Sequence, residues 1–367
     1  MEIENATPFE VETLPFKGPE GAPVLTVIIK GTFDIIPDQP AKPSSEQVPV
    51  AYGDELYNEE DGGSVRFEAD IAPFKPRADI ALAGRAYAPH GQAVEWLDVS
   101  LRIGNLVKTI TVVGDRRWKL GGRFSTPSAT DPEPFTVMEL VYERAFGGMD
   151  LTGGDWCKEN PIGRGFFVKK SRETLDGAPL PNLEDPDNMI RSWDDHPKPV
   201  GYGFYGKMWA PRSGYLGTYD EKWRKERSPD PPEDFRFDFY NAAHPDLQVE
   251  GYLKGDETVE LVNFTPEGRI RFQLSGIRLS IKVTKSGPAA GVPSTPTVTA
   301  DTASASIDEE SPAVIEEIHP NLDTLCFIPD EKRFYVLWRG LCPIKDLTAM
   351  EVRKVEITSA PAGMAHK

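Results

Sequence analysis

Six carboxylates fall in one short run, GTYDEKWRKERSPDPPEDF from Gly217 to Phe235: Asp220, Glu221, Glu226, Asp230, Glu233 and Asp234. Paired carboxylates beside aromatic rings are what glycoside hydrolysis requires. One acts as an acid with a raised pKa, and the other sits across the sugar as base or nucleophile. Tyr219 and Trp223 supply the rings. Four bases, Lys222, Arg224, Lys225 and Arg227, are interleaved with the acids and would keep most of them ionised and paired. The run therefore reads as a clasp anchored by Tyr219 and Trp223, with Pro229, Pro231 and Pro232 stiffening its exit. A carbohydrate-active hydrolase using Asp/Glu-rich aromatic loops is the alternative.

Other chemistries find less to work with. Histidines stand at 90, 196, 244, 319 and 366, and two of them, in DDHPKP and AAHPDL, precede proline in extended or turn geometry. There is no GxSxG elbow and no HExxH zinc motif. The glycine runs AFGGMDLTGGDW and NPIGRGF lack the lysine and the glycine order of phosphate loops and read as turns. Cys157, Cys326 and Cys342 show no CxxC spacing. A turn near Asp330–Glu331 would place Cys326 opposite Tyr335 and Cys342 near His319, so three buried free thiols are expected. No catalytic residue, metal site or cofactor follows from these patterns.

What remains is a set of aromatic–arginine clusters: GDRRW, VYERAFGG, KMWAPRSGY, GTYDEKW and VLWRG. Arginine over an aromatic face pins loops by cation–π attraction, and Trp, Tyr and Arg are also what interface hot spots are made of. Trp156, Trp193, Trp209, Arg212 and Tyr215 are the residues that would bind a partner polypeptide.

These residues need a scaffold, and alternation supplies it. In VLTVIIKGTFDI, Leu25, Val27, Ile29, Phe33 and Ile35 share one parity, with Thr26, Lys30, Thr32 and Asp34 on the other. LDVSLRI repeats the pattern, so both read as half-buried strands. QVEGYLKGDETVELVNF reads as two strands joined at Lys254–Gly255–Asp256. In RIRFQLSGIRLSIKV the apolar parity flips at Ser275–Gly276, as a bulge or a strand changing sheets would require. Helical periodicity is brief, the best case being DEKWRKER with Asp220 as its cap. The class is mainly β, an antiparallel sandwich or two packed sheets with long ordered loops and little helix.

Domain organisation follows. Residues 1–285 form the main domain, with a long loop region near 147–246 rich in Pro, Gly, Trp and Tyr. Residues 286–317, without an aromatic, read as a disordered linker inserted in the fold. Residues 318–367 carry a hairpin, LDTLCFIPDEKRFYVLWRG, that must dock back on the main domain because a lone hairpin is marginal in water. The chain of 367 residues carries 58 acids against 41 bases, a net charge of −17, which disfavours nucleic acid and anionic membrane as partners. Its start is acidic and unlike a signal peptide, and VLTVII is too short to span a bilayer, so a cytoplasmic location is expected.

Nine blocks then stand out in order: VLTVIIKGTFDI, FKPRADIALAGRAYAPHG, GDRRW, PFTVMELVYERAFGG, NPIGRGF, GTYDEKW, DFRFDFYNAAHPDLQ, GYLKGDETVELVNF and DTLCFIPDEKRFYVLWRG. Together they resemble the bacterial domain-of-unknown-function family 2169 over almost the whole chain except the linker. The resemblance implies a role beside type VI secretion, as an adaptor or chaperone. Such a protein would stabilise a secreted effector toxin and help load it on the spike, the valine–glycine-repeat protein tipped by a PAAR-like domain. The family brings no catalytic residues.

Overall fold

The computed structural model describes residues 1–60, 62–121, 126–168, 172–286 and 313–360. The longer strands are β1 (Glu2–Asn5), β2 (Glu10–Lys17), β3 (Pro23–Asp34), β4 (Ala78–Leu82), β5 (Trp96–Ile103) and β6 (Leu106–Val113). They continue with β7 (Thr258–Val262), β8 (Arg269–Gln273), β9 (Arg278–Ser286), β10 (Ala313–Ile318), β11 (Asn321–Ile328), β12 (Arg333–Pro343) and β13 (Val352–Ala360). The fold is mainly β with little helix, as the alternation predicts.

Three sheets carry these strands. The largest runs Gln248–Val249, β4, β11, β12, β3, β2, with Lys42–Pro43 also paired to β3. A second runs Leu183–Glu184, β6, β5, β7, β8, and a third β1, β13, β9, β10. Most pairs are antiparallel, but β4 lies parallel to β11 and β1 parallel to β13. The inward parity of the large sheet, Leu25, Val27, Ile29 and Phe33 of β3 with Phe334, Val336 and Trp338 of β12, meets residues from both other sheets. Val99, Leu101, Val112, Leu261 and Phe272 come from one, and Ile281, Val283 and Ile357 from the other. This single sandwich core joins the N- and C-terminal parts of the chain.

The parity flip at Ser275–Gly276 is a change of sheet. β8 ends the second sheet and β9 continues in the third, so Ile270, Phe272 and Leu274, then Leu279, Ile281 and Val283, all face the core. Gly276 makes the turn at φ +70°, where a side chain would be strained.

Three expectations change. First, β3 is not half-buried: Thr26, Lys30 and Thr32 on its second face are at most 3% exposed. That face is roofed by segments 44–75 and 200–247, seen where Thr26 donates to Pro73 O and where Tyr335 packs against Val65, Phe204 and Ala242. Second, Lys254–Gly255–Asp256 is a turn but not a hairpin. Glu257 accepts from the N–H of Lys254 and of Gly255, yet Gln248–Val249 joins β4 and β7 joins β5 and β8. Local turn chemistry is the same whether the flanking strands pair or part.

Third, the linker is shorter than 286–317 at both ends. Ser286 closes β9, and Ala313–Glu317 belong to β10 and pair back on it, Ser286 opposite Ala313. Residues 287–312 lie outside the described residues. The C-terminal hairpin returns to the main sheet, where it lies between β4 and β3. Its register places Cys326 opposite Tyr335, as counting from the turn gives, and all three cysteines are buried free thiols.

Candidate functional site

The clasp is built as its charges suggest. Asp220 caps the short helix α1 (Glu221–Glu226) by accepting from the N–H of Trp223 at 2.7 Å. The Trp223 ring packs edge-on against Tyr219 at 4.6 Å, and its indole N–H donates to Asp230 O. Asp230 also pairs with Lys17 at 2.5 Å, and Glu221 with Arg224 and Lys225. Asp234 accepts from the N–H and hydroxyl of Thr218, and these bonds hold its carboxyl below the usual range. A glycosidic general acid needs the opposite shift. The anchors are shallower than the sequence suggests: Trp223 is half-buried and Tyr219 is 53% exposed. They anchor each other rather than the core.

A second set of charges lies beneath the loops that roof the large sheet. Lys30 meets Asp70 at 2.7 Å, Lys75 meets Asp79 at 2.8 Å, Arg339 meets Asp323 at 2.7 Å and Arg212 meets Glu68 at 2.5 Å. None of these eight side chains is more than 8% exposed, and four cations balance four anions. Burial raises Glu68, against Arg212 and Lys75, which pull it down. Burial by itself would lower Lys75, but Asp79, Glu68 and Asp323 outweigh it and leave its ammonium above the usual lysine value. Asn241 ties the layer to the loops, donating to Asp79 and to Arg77 O. Apart from Glu68 Oε2 and Asn241 Oδ1, which are buried without a hydrogen-bond partner, these groups are spent on one another, so the layer pins the loops.

The partner-binding residues expected from sequence separate into different environments. Arg212 is 1% exposed and donates to Phe239 O, Tyr205 O and Glu68, so it holds the loops and offers nothing to a surface contact. Tyr215 is partly exposed under the Arg236 guanidinium, and with Arg212, Arg77, Tyr205 and Asn241 it lines a recess of about 420 Å³. Trp209 packs its ring against Tyr142 and Tyr205 at 5.6 and 6.2 Å. Trp193 lies half-buried on a satellite cluster of Trp118, Leu175 and Leu180. Trp156 alone of the five is exposed, at 47%.

Around Trp156 the structure reveals neighbours that the search for aromatic–arginine clusters missed. Met149 stands opposite Trp156 in the two-stranded ribbon of Met149–Asp150 and Asp155–Trp156. Leu151 is in its turn, and Val168 is tied on through its N–H to the Asp150 carboxylate. Met208 stands two residues before Ala210, whose N–H donates to Lys158 O. Met149, Leu151, Trp156, Val168 and Met208 are all exposed. The patch is held firmly from below: Asp150 is buried and accepts from Thr152, Gly153 and Val168, which hold its carboxyl far below the usual range against the effect of burial. The readable signal was apolar residues in a glycine-rich turn with no alternation, where no core position awaits them.

His244 is buried beside Lys108 and Asp246, with Lys108 Nζ 2.8 Å from Asp246 and 3.3 Å from the imidazole. Burial and the Lys108 charge lower it to about 4. Among the described residues no group of three or more His, Cys, Asp or Glu side chains could hold a metal ion, and no helix is long and apolar enough to cross a membrane.

No curated protein and no solved structure matches the chain. A family model does, over residues 20–339, and its description is an uncharacterized protein conserved in bacteria. The match spans the sandwich from β3 to β12 and includes both the buried ionic layer and the exposed ribbon. The chain therefore belongs to the bacterial DUF2169 family.

Proposed function

We propose that this protein is a non-enzymatic adaptor or chaperone that binds a type VI secretion effector and helps load it onto the spike or its PAAR-like tip. The observation that supports the reading is the set of exposed apolar side chains Met149, Leu151, Trp156, Val168 and Met208, four of them on a loop region that the buried Asp150 carboxylate holds together. Clustered exposed apolar side chains on a rigid support are the usual form of a protein-binding surface. The secretion context rests on the family resemblance of the nine sequence blocks. A bound effector is protected by mass action, because the complex draws it from its unfolded and degradable pool.

The test is a strain lacking this protein, complemented with the wild type or with Leu151→Asp combined with Met208→Asp. The wild type restores effector abundance and co-purifies with the effector, and the double variant, folded as judged by its melting temperature, does neither. Unchanged effector level and secretion in the deletion strain would overturn the reading.

A further inference from the structure

Buried polar atoms ordinarily find a hydrogen-bond partner, so an exception beside a cavity points to what the cavity receives. Among the described residues four such atoms have none: Glu68 Oε2, Arg116 Nε, Asn160 Oδ1 and Asn241 Oδ1. Asn241 is 2% exposed and lines the recess of about 420 Å³ that Tyr215 shares. Its Nδ2 donates to Arg77 O at 2.8 Å and to Asp79 at 3.0 Å. Those two acceptors fix the orientation of the amide and leave Oδ1 as an acceptor without a donor.

Arg77, joined to Asn241 by that bond, lines the same recess and has a donor to spare. Its Nε is given to Gln248 at 2.9 Å and one terminal nitrogen to Asp238 at 2.8 Å. The other, Nη1, makes no hydrogen bond among the described residues. Tyr205, Tyr215, Pro211 and Pro245 supply ring surfaces. Charge around the recess is balanced. Arg77 and Arg236 share Asp238, Arg212 is met by Glu68, and the exposed Glu250 also lines the space. With three cations against three anions, neither sign is drawn in, and a charged group entering would lose hydration without gaining a free counter-charge.

We propose that the recess is a pocket for a phenol, the side chain of a tyrosine on the partner polypeptide. The inference rests on the reading that this protein binds a polypeptide, and it names an anchor residue and the chemistry that holds it. A hydroxyl donates and accepts through one atom. The tyrosine O–H therefore donates to Asn241 Oδ1 while its oxygen accepts from Arg77 Nη1, and the ring lies against the tyrosine and proline walls. An indole donates but does not accept, a phenyl ring does neither, and a carboxamide brings no ring to the walls. Tyrosine also loses little conformational freedom when held, which suits an anchor.

The probe is N-acetyltyrosinamide, titrated into the isotope-labelled protein. It should shift the amide resonances of Tyr215, Asn241, Ala243 and Gln248 saturably. N-acetylphenylalaninamide should bind the wild type at least about tenfold more weakly, because it leaves the Asn241 and Arg77 atoms unpaired. Tyr215→Ala, at a partly exposed position, should weaken the first ligand by about tenfold while the melting temperature holds. Equal binding of the two amides, no effect of Tyr215→Ala, or shifts confined to residues outside the recess would overturn the proposal. So would binding of p-cresol without binding of N-acetyltyrosinamide, which marks a site for a free phenolic molecule. If neither amide binds while the ribbon variant still loses effector, the adaptor reading stands and this proposal falls. If N-acetyltyrosinamide binds as expected but effector level ignores the protein, the tyrosine pocket stands and the adaptor reading falls.

Discussion

The ion pairs beneath segments 44–75 and 200–247 and those of the clasp over 217–235 use the same residue types, Lys, Arg, Asp and Glu beside aromatic rings. They differ in what surrounds them. Arg339 and Asp323 each keep about 2% of their side chains exposed, whereas Arg224 and Glu221 keep about two-thirds (66% and 68%). In the first setting water cannot replace a lost partner; in the second it does so at once. The lesson is that an acidic, basic and aromatic run has no fixed meaning until its burial is known.

Removing one buried partner is the sharpest way to test the contrast. Arg339→Ala leaves the buried Asp323 without its cation, holding only the Thr324 hydroxyl, and strips donors from Ala72 O and Asp70 O. It should destabilise the fold by about 3–5 kcal/mol in urea unfolding, and replacing both members, with Asp323→Leu and Arg339→Met, should recover much of that loss. A small effect of the single change would mean that the layer is wet and the contrast false.

His244 extends the contrast to pH. Its folded pKa of about 4 lies below the unfolded value of 6.5, so the unfolded chain binds the extra proton first. Stability from this group is full above about pH 6.5 and is lost as pH falls toward 4, by up to about 3 kcal/mol. Lys108, Asp246 and Lys198 also face the ring and share in that slope. A His244→Gln variant should flatten the unfolding free energy between pH 6.5 and 4; an unchanged slope would place the sensitivity elsewhere.

The clasp should give smaller effects. Trp223→Ala removes a half-buried ring and one hydrogen bond, for about 1–2 kcal/mol in chemical denaturation. A loss as large as that of Arg339→Ala would erase the distinction drawn here. Smallest of all, Arg224→Ala should change stability by about 0.5 kcal/mol or less, measured at low and high salt alike.

Much of the sandwich was legible because period-2 alternation is a local signal. Leu97, Val99, Leu101 and Ile103 point inward as read, and the parity flip at Ser275–Gly276 told of a strand serving two sheets. What escaped was the second face of β3. Lys30 in a strand ordinarily marks solvent, and Asp70, forty residues away, together with the Tyr335 ring makes its burial tolerable. Pairings across such distances leave no local trace, which is also why Lys254–Gly255–Asp256 looked like a hairpin. At the candidate site Trp156 was found by residue type. Leu151 and Met208 were not, since exposure depends on what fails to pack over a residue.

The hairpin of β11 and β12 has a consequence for how the molecule is made. Phe33 in β3 pairs with Phe334 in β12, and Ile80 in β4 with Leu325 in β11. A nascent chain that has emerged only as far as Asn321 holds the large sheet in two halves, β2 with β3 and Gln248–Val249 with β4, and the strands between them have not yet left the ribosome. Contacts this remote in sequence make for slow folding and for apolar strands left open during translation. Closure comes only when β11 and β12, Asn321 to Pro343, have appeared, so any nonsense or frameshift lesion upstream of β11 leaves a product whose largest sheet cannot form.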